Sequence, residues 1–419
     1  MMCQCTMATG QTLFAEAMLD VEKGRVVEGI IIQIAEGTIV SIQTGAKRDA
    51  LEPDSYIDLS DMTLLPGLID THTHLCDNTY LGREFDHWTY PAATFGIVGT
   101  VNARKTLGAG FTTVRDVSAP YFADVALRDA INKGWIDGPR MIVSGPMITM
   151  TGGHGDWGNW MGPQHEVSTQ AEAVADGADA VRQLTRKHIQ SGVDMIKIVA
   201  TGGFGTPGSI PGAASYTVEE IAAAVDEAHK RGIKVAAHAH GEDGIRNALE
   251  AGVDSIEHGS MVTEELALKM KESQTFLVMD LLAAHYDLVE INQDYGDKEL
   301  NSSNEEEYAN YRSRFAAAYK AGAPMAFGTD ASVFAHGRNA EQFALMVEAG
   351  MSPEDAVRSA TIWAARLLGM EQETGTIAQG KWADLIAVRG NPYDDVTALT
   401  DIVFVMKSGK VYVGPPDDR

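Results

Sequence analysis

The segment LLPGLIDTHTHL at residues 64–75 indicates both the fold class and the place where chemistry is expected. Its apolar residues predict a short buried strand, and that strand ends in two histidines, His72 and His74. Side chains two residues apart on a strand point to the same face, so both imidazoles should enter one side of a sheet. We therefore expect functional groups at the carboxyl end of this strand.

A repeated unit occupies the middle of the chain. In each copy a helical stretch ends at a glycine, and a short apolar strand begins a few residues later. The copies lie at residues 106–116, 189–203, 229–241, 249–259 and 319–331. With the apolar segments at residues 64–75, 140–145 and 275–282 they make eight strands that alternate with helices. This order predicts an α/β fold with a parallel (β/α)8 TIM barrel over residues 66–372.

The two ends of the chain have a different pattern. Residues 1–65 and residues 373–419 contain short alternating segments rich in β-branched residues, separated by glycine turns. We expect both ends to form one small β-sandwich domain beside the barrel.

Composition and charge restrict the partners of the protein. The chain has 419 residues, of which 45% are apolar and 22% charged, as in ordinary soluble proteins. Its net charge is −25 and no basic stripe occurs, which argues against nucleic acid and against an anionic membrane surface. No apolar run approaches the ~18 residues of a membrane-spanning helix. The expected partner is a small molecule or a dipeptide, and homo-oligomerisation stays open.

The cysteine content and the first residues of the sequence bear on the compartment. Only three cysteines occur, which favours a reducing environment over a disulfide scaffold. The start of the sequence has neither the basic nor the apolar region of a signal peptide. These observations predict a cytoplasmic protein.

Ionisable residues are concentrated at the predicted strand ends, where barrels of this type carry their active sites. They are His72, His74, Lys197, His238, His240, His258 and Asp330. Imidazoles with a carboxylate suit Zn²⁺ or another borderline divalent ion, and this many ligands fit two ions better than one. A lysine ammonium cannot ligate, but addition of CO₂ to the amine gives a carbamate whose two oxygens can bridge two ions. Each residue considered alone also has a purely structural explanation: Lys197 could form a buried ion pair, His258 could be a hydrogen-bonded core histidine, and Asp330 could cap a helix.

These motifs resemble the amidohydrolase superfamily over essentially the whole chain. Residues 66–75 resemble its first-strand signature, and GTIAQGKWADLIAV at residues 375–388 resembles its returning β-sandwich segment. The order of HxH, lysine, two histidines and aspartate is similar to the binuclear subtype with a carboxylated lysine. The resemblance implies that His72 and His74 hold the buried ion with Asp330, and that His238 and His258 hold the more exposed ion. Carboxylated Lys197 would bridge the two, Asp330 would also act as general base and acid, and His240 would contact or support the substrate.

Three further residues are candidates for substrate binding. His154, in the glycine-rich segment 151–160, could polarise a substrate carbonyl or could be a loop histidine bonded to backbone. Tyr216 and Arg338 could bind a substrate carboxylate; alternatively, Tyr216 is an aromatic at the start of a helix and Arg338 a solvated arginine. Arg115 and Asp116 at the end of the second strand are expected to form a structural ion pair.

Three functions compete. The first, favoured by the resemblance to the prolidase-like branch, is a zinc-dependent dipeptidase of the Xaa-Pro type, acting on dipeptides or N-acyl amino acids with a free C-terminal carboxylate. The second is a cyclic amide hydrolase similar to imidazolonepropionase, or a carboxypeptidase-type specificity for C-terminal Arg, Lys or hydrophobic residues. The third is a non-catalytic scaffold, which the complete ligand set argues against.

Overall fold

A computed structural model describes residues 10–52, 55–78, 90–162, 164, 170–290 and 298–415. Its strands are β1 (Gln11–Asp20), β2 (Arg25–Ala35), β3 (Thr38–Gln43), β4 (Ile57–Pro66), β5 (Leu68–Thr73), β6 (Phe111–Asp116), β7 (Arg140–Val143), β8 (Met195–Val199), β9 (Lys234–Ala239), β10 (Ser255–His258), β11 (Phe276–Val278), β12 (Leu385–Val388), β13 (Ile402–Lys407) and β14 (Lys410–Val413).

The α-helices lie mainly between the central strands. They are α1 (Ala92–Gly108), α2 (Ala123–Asn132), α3 (Gln170–Ala173), α4 (Ala178–Gln190), α5 (Val218–His229), α6 (Glu242–Ala251), α7 (Glu264–Ser273), α8 (Leu281–His285), α9 (Lys298–Ala321), α10 (Gln342–Glu348), α11 (Pro353–Ser359) and α12 (Ile362–Leu368). Within the described ranges, no helix has the length and apolar character needed to cross a bilayer.

One seven-stranded sheet joins the two ends of the chain. Its order is β14-β13-β12-β4-β1-β2-β3, so strands from before residue 67 pair with strands from after residue 384. Apolar side chains such as Leu13, Ile30 and Phe404 form a core of their own on this sheet. The sandwich arrangement and the predicted domain boundaries stay predictions, and residues 1–9, 53–54 and 416–419 of that unit lie outside the described part.

The central strands form two parallel sheets, β5-β6-β7 and β11-β10-β9-β8. On one side a parallel bridge links them, since Ile148, just after β7, pairs with Ile198 in β8. On the other side Met325, in the segment that leads to Asp330, pairs with Leu277 in β11. A further parallel bridge joins Thr73 in β5 to Ala331. The linked parallel segments are of the TIM-barrel type, and their carboxyl ends lie at one edge.

The eighth predicted strand, within residues 319–331, is present only as isolated bridges and single hydrogen bonds. Leu277 donates its N–H to the carbonyl of Pro324, and Thr71 donates to that of Phe327, both at 2.8 Å. Pro324, which has no N–H, begins this segment, and Asp330, with a left-handed φ of 57°, ends it, so the extended backbone between them is short. The segment nevertheless places Asp330 beside the carboxyl end of β5, where its N–H donates to the carbonyl of His72 at 2.9 Å.

Gly67 joins the terminal sheet to the central sheets. It separates β4 from β5 and donates its N–H to the carbonyl of Asp384 at 2.8 Å. A Cβ at this position would overlap the side chain of Thr112 in β6. The close approach of β5 to β6 at its first residues therefore requires glycine here.

We predict that Gly67→Ala lowers the free energy of unfolding by about 1–3 kcal/mol, because the added methyl forces Thr112 or the backbone to move. Gly96→Ala is the matched control, since a Cβ there meets no atom within 4 Å and lies inside α1. Helix propensity should make that variant about 0.5–1 kcal/mol more stable. Urea unfolding of both variants checks this, and equal effects of the two substitutions would contradict it.

Candidate metal centre and active site

The structure brings the seven predicted strand-end residues to one region. His72 and His74 end β5, Lys197 lies in β8, His238 in β9 and His258 at the end of β10. Two groups of ligand atoms each lie within 4.8 Å of one another: those of His238, His240 and His258, and those of His72, His258 and Asp330. His258 belongs to both groups, so the candidate ligands form one continuous cluster.

His72 is held by a buried carboxylate. Its Nδ1–H donates to Glu257 Oε2 at 2.8 Å, and the other oxygen of Glu257 accepts from Arg115 Nη2 at 2.7 Å. Glu257 is 0% exposed. Because Nδ1 carries the proton, the Nε2 of His72 is free for a ligand. Arg115 therefore pairs with Glu257, and the expected ion pair between Arg115 and Asp116 is wrong.

Two imidazoles converge on Asp330. The Nε2 atoms of His72 and His74 lie 3.4 Å and 3.0 Å from Asp330 Oδ1, and His74 Nδ1 donates to the carbonyl of Ser118. Burial opposes the charged form of His74, but the hydrogen bond and charge of Asp330, together with the charge of Asp116 and the Ser118 carbonyl, outweigh it and raise the pKa of His74 to about 9. Two ring nitrogens and a carboxylate oxygen facing one another fit a shared divalent cation.

His258 is oriented by a second buried carboxylate. Its Nδ1–H donates to Asp280 Oδ2 at 3.0 Å, and the hydroxyl of Tyr311 on α9 donates to Asp280 Oδ1 at 2.7 Å. The arrangement again leaves Nε2 of the imidazole for a ligand. The hydrogen-bonded core histidine and the metal ligand are therefore compatible descriptions of His258.

Lys197 is almost fully buried, with 2% of its surface exposed. Among the described residues no carboxylate forms a direct ion pair with its amine, although the charges of Glu257, Asp330 and Asp280 act on it from a greater distance. Burial lowers the pKa of Lys197 to about 8. The lowered pKa increases the fraction of neutral amine, which is the form that reacts with CO₂.

Of the two histidines of β9 and its end, the sequence predicts His238 as a metal ligand and His240 as a residue that contacts or supports the substrate. His238 Nε2–H donates to the carbonyl of Gly202 at 3.1 Å, and His240 Nδ1 is 2.8 Å from Ser260 Oγ. Both rings contact His258, at centroid distances of 4.6 Å and 4.8 Å. Burial lowers the pKa of both histidines well below the usual value, so both imidazoles are neutral. Each keeps one nitrogen for a ligand, and the choice of His238 stays a prediction.

His154 joins the cluster from the loop after β7. Its ring stacks on His238 at a centroid distance of 4.5 Å, and its Nδ1 lies 2.8 Å from Thr206 Oγ1. Burial lowers the pKa of His154 to about 4, so the imidazole is neutral at pH 7. The structure thus places His154 beside the candidate ligands with a side-chain partner rather than a backbone one, and its role toward a substrate stays a prediction.

Tyr216 and Arg338 have partners within the protein. The hydroxyl of Tyr216 is buried and donates to the carbonyl of Ala175 at 2.7 Å. The guanidinium of Arg338 pairs with Glu341 at 2.7 Å and with Glu290 at 3.1 Å. The contacts of Tyr216 are those of a packed aromatic beside a helix, and the structure does not bring either residue into the cluster.

A profile of the amidohydrolase family matches residues 63–413. The chain belongs to this family. The crystal structure of a Xaa-Pro dipeptidase with methionine bound in its active site is 36% identical, has a TM-score of 0.89, and aligns over 97% of this chain and 100% of that one. A prolidase complexed with N-methylphosphonate-L-proline is 31% identical, with a TM-score of 0.84 and coverages of 97% and 100%. An ochratoxinase from Aspergillus niger is 32% identical over 394 residues, which cover 87% of this chain and 79% of the relative.

Two candidate ligands of this amidohydrolase have strained backbones. His258 and Asp330 have φ values of 68° and 57°, a region that residues with a Cβ rarely adopt. Such conformations persist only where surrounding contacts over-determine them, and they cluster at functional sites. The hydrogen bonds of His258 to Asp280 and of His74 to Asp330 supply those contacts here.

We predict that Arg115→Met destabilises the protein by roughly 3–5 kcal/mol, because it leaves the charge of Glu257 buried without its cationic partner. Arg182→Met is the control, since Arg182 pairs with Glu227 at the surface and its loss should change little. Denaturant unfolding measures both. An Arg115→Met variant as stable as the Arg182 control would show that Glu257 does not depend on this pair.

Proposed function

We propose that the protein is a binuclear metal-dependent amide hydrolase, a dipeptidase that cleaves Xaa-Pro dipeptides or N-acyl amino acids with a free C-terminal carboxylate. The observation that carries the proposal is the continuous cluster of His72, His238, His240, His258 and Asp330. His74 faces Asp330 in this cluster, and the buried amine of Lys197 lies close enough to act on the charges of His72 and His238. Two relatives of known structure, a Xaa-Pro dipeptidase and a prolidase, support the substrate class.

The residues fit two divalent ions, for which zinc suits the imidazole-rich ligand set. His72, His74 and Asp330 would hold one ion, and His238 and His258 the other. Lys197 would bridge them as a carbamate, which turns a buried amine without a partner into a ligand. When bound, the ions would polarise the scissile carbonyl and acidify a water molecule.

Asp330 is the proton carrier of the proposed reaction. Its carboxylate lies between His72 and His74, and their charges hold its pKa far below the usual range although burial opposes this. It would accept the proton of the attacking water and deliver it to the leaving nitrogen. Proline leaves as a basic secondary amine, so this delivery is essential for a Xaa-Pro bond.

His154 and His240 are proposed to contact the substrate. Neutral His154 can donate from its ring to the carbonyl oxygen, which gains negative charge in the transition state. His240 is fixed through Ser260 and lies beside His258, where it can support the same group. We also propose that Arg338 binds the terminal carboxylate of the substrate. To do so, its guanidinium would have to release Glu290 or Glu341 and pair with the substrate instead. Tyr216 would first have to give up its hydrogen bond to Ala175, so we place Arg338 before it.

Ochratoxin is a second candidate substrate, named by the relative that is 32% identical. The observation on this chain that favours a bulky substrate is Phe204, whose ring is 59% exposed although it contacts the ring of His240 at 4.9 Å. An exposed aromatic beside the cluster offers an apolar surface to the acyl side of a substrate.

We also propose that the linked parallel segments form a complete (β/α)8 barrel over residues 66–372, and that the terminal sheet belongs to a small β-sandwich. A cytoplasmic location and homo-oligomerisation remain proposals of the same kind. The net charge of −25 supports a substrate that is a small molecule rather than a nucleic acid.

We expect Lys197→Ala to lose most bound metal and activity, because the variant lacks the bridging group. Metal analysis should give about two divalent ions per wild-type chain. Lys234→Ala is the control: it lies at the opposite end of the neighbouring strand, half-exposed beside Asp254, and should keep both ions. Full activity and full metal content in Lys197→Ala would refute the bridge.

Asp330→Asn should fold normally and lose about 10³-fold or more in kcat, since it removes the proton carrier and weakens a ligand. The loss should be smaller for an ester analogue of the same substrate, whose leaving oxygen needs protonation less than nitrogen does. Steady-state kinetics on the amide and the ester measure both effects, and a near-wild-type rate on the amide would exclude the assignment.

A substrate panel tests the proposed function. We expect the highest kcat/KM for Xaa-Pro dipeptides over Xaa-Leu and Xaa-Arg dipeptides, weak binding when the proline carboxylate is amidated, and no internal cleavage of long peptides. Ochratoxin is included as the second candidate. Activity confined to imidazolone propionate would overturn the proposal in favour of a cyclic amide hydrolase, and a preference for C-terminal Arg or Leu would reassign the specificity.

A further inference from the structure

His154 is held at its edge by a threonine from a different loop. Thr206 Oγ1 lies 2.8 Å from His154 Nδ1, and the N–H of Gly155 donates to the same oxygen at 3.5 Å. The loop that carries Thr206 is a closed structure, in which Thr201 pairs with Ala214 in an antiparallel bridge. Two loops that follow different strands therefore meet at this hydrogen bond.

The contacts of the hydroxyl favour one direction for this hydrogen bond. Thr206 Oγ1 has one proton and two lone pairs, so it can accept from Gly155 and donate to His154 at the same time. Within the described residues, Nδ1 of His154 is the acceptor in contact with it. A neutral imidazole has one N–H, so when Nδ1 accepts, Nε2 carries the proton.

The imidazole is also confined at its surface. A Cβ on Gly203 would lie 2.6 Å from Cγ and Nδ1 of His154, so glycine allows the loop backbone to pack against the ring. His238 stacks on the ring with an interplanar angle of 21°. Thr206 thus completes a set of contacts that leave Nε2 as the nitrogen available to a substrate.

We propose that Thr206 is a positioning residue that fixes His154 as the Nε2–H tautomer and directs this N–H at the carbonyl oxygen of the substrate. The proposal rests on the hydrolytic function proposed above. It adds to that function the residue that determines which nitrogen of His154 donates.

Kinetics of three variants test the proposal. Thr206→Val keeps the shape but removes the hydroxyl, and it should lower kcat about tenfold with KM within about threefold, because the donated bond strengthens in the transition state. Thr206→Ser should restore the rate to within about threefold. Thr100→Val is the matched control: it makes the same substitution in α1, where the exposed hydroxyl donates to the carbonyl of Ile97, and should behave as wild type. Thr206→Ala replaces the valine variant if that one does not fold.

A double-mutant cycle separates positioning from a general effect on the loop. In a His154→Ala background, Thr206→Val should cause no further loss of kcat. A full tenfold loss in that background, or a serine variant as slow as the valine variant, would overturn the proposal.

The tautomer can be read without substrate, which separates this proposal from the proposed function. In protein labelled with ¹⁵N-histidine, the ring of His154, assigned by its absence in His154→Gln, should show a protonated Nε2 and an unprotonated Nδ1 in the wild type and in Thr206→Ser. Thr206→Val should show mixed tautomers. A protonated Nδ1 in the wild type would refute the role of Thr206, whereas the expected spectrum in a protein that cleaves no member of the panel would refute only the proposed function.

Discussion

The charge of Glu257 is buried completely, and the rest of the site depends on how it is compensated. Arg115 in β6 and His72 in β5 both bind this carboxylate, which itself lies in β10. These strands belong to the two different parallel sheets, so one set of hydrogen bonds links the sheets through the interior. A buried charge that loses its partner costs several kcal/mol. A shift of β5 or β6 relative to β10 would therefore be strongly unfavourable.

The same interaction prepares the metal centre. By accepting from Nδ1 of His72, Glu257 leaves Nε2 directed at Asp330, and Asp280 does the same for His258 through its own hydrogen bond. Burial keeps His238, His240 and His154 neutral, the form in which an imidazole binds a metal or donates to a carbonyl. Hydrogen bonds within the protein thus hold the ring nitrogens and carboxylate oxygens in place.

The sequence predicts most of the central strands and the residues that meet in the cluster, because both produce local patterns. The HxH pair, Lys197 in an apolar strand and the glycine before each strand are visible along the chain, and all the predicted ligand residues meet in space. The orienting groups were missed, since Asp280 and Tyr311 act across long separations and carry no periodic signal. Arg115 was paired with its neighbour Asp116 for the same reason. The position of Tyr216 after a long loop suggests a substrate contact, but its side chain is buried in the core and its hydroxyl donates to Ala175. The left-handed backbones of His258, at the end of β10, and of Asp330, at the end of the eighth segment, depend on tertiary contacts that no local pattern encodes.

The central claim is that buried, unpaired Lys197 becomes a bridging carbamate between two ions. The most direct measurement is a crystal structure of the protein grown with zinc and bicarbonate, with anomalous data collected on both sides of the zinc absorption edge. The account predicts two anomalous peaks, one beside His72, His74 and Asp330 and one beside His238 and His258, with density for a carboxylate on the Lys197 Nζ between them. A single peak with an unmodified lysine amine would contradict it.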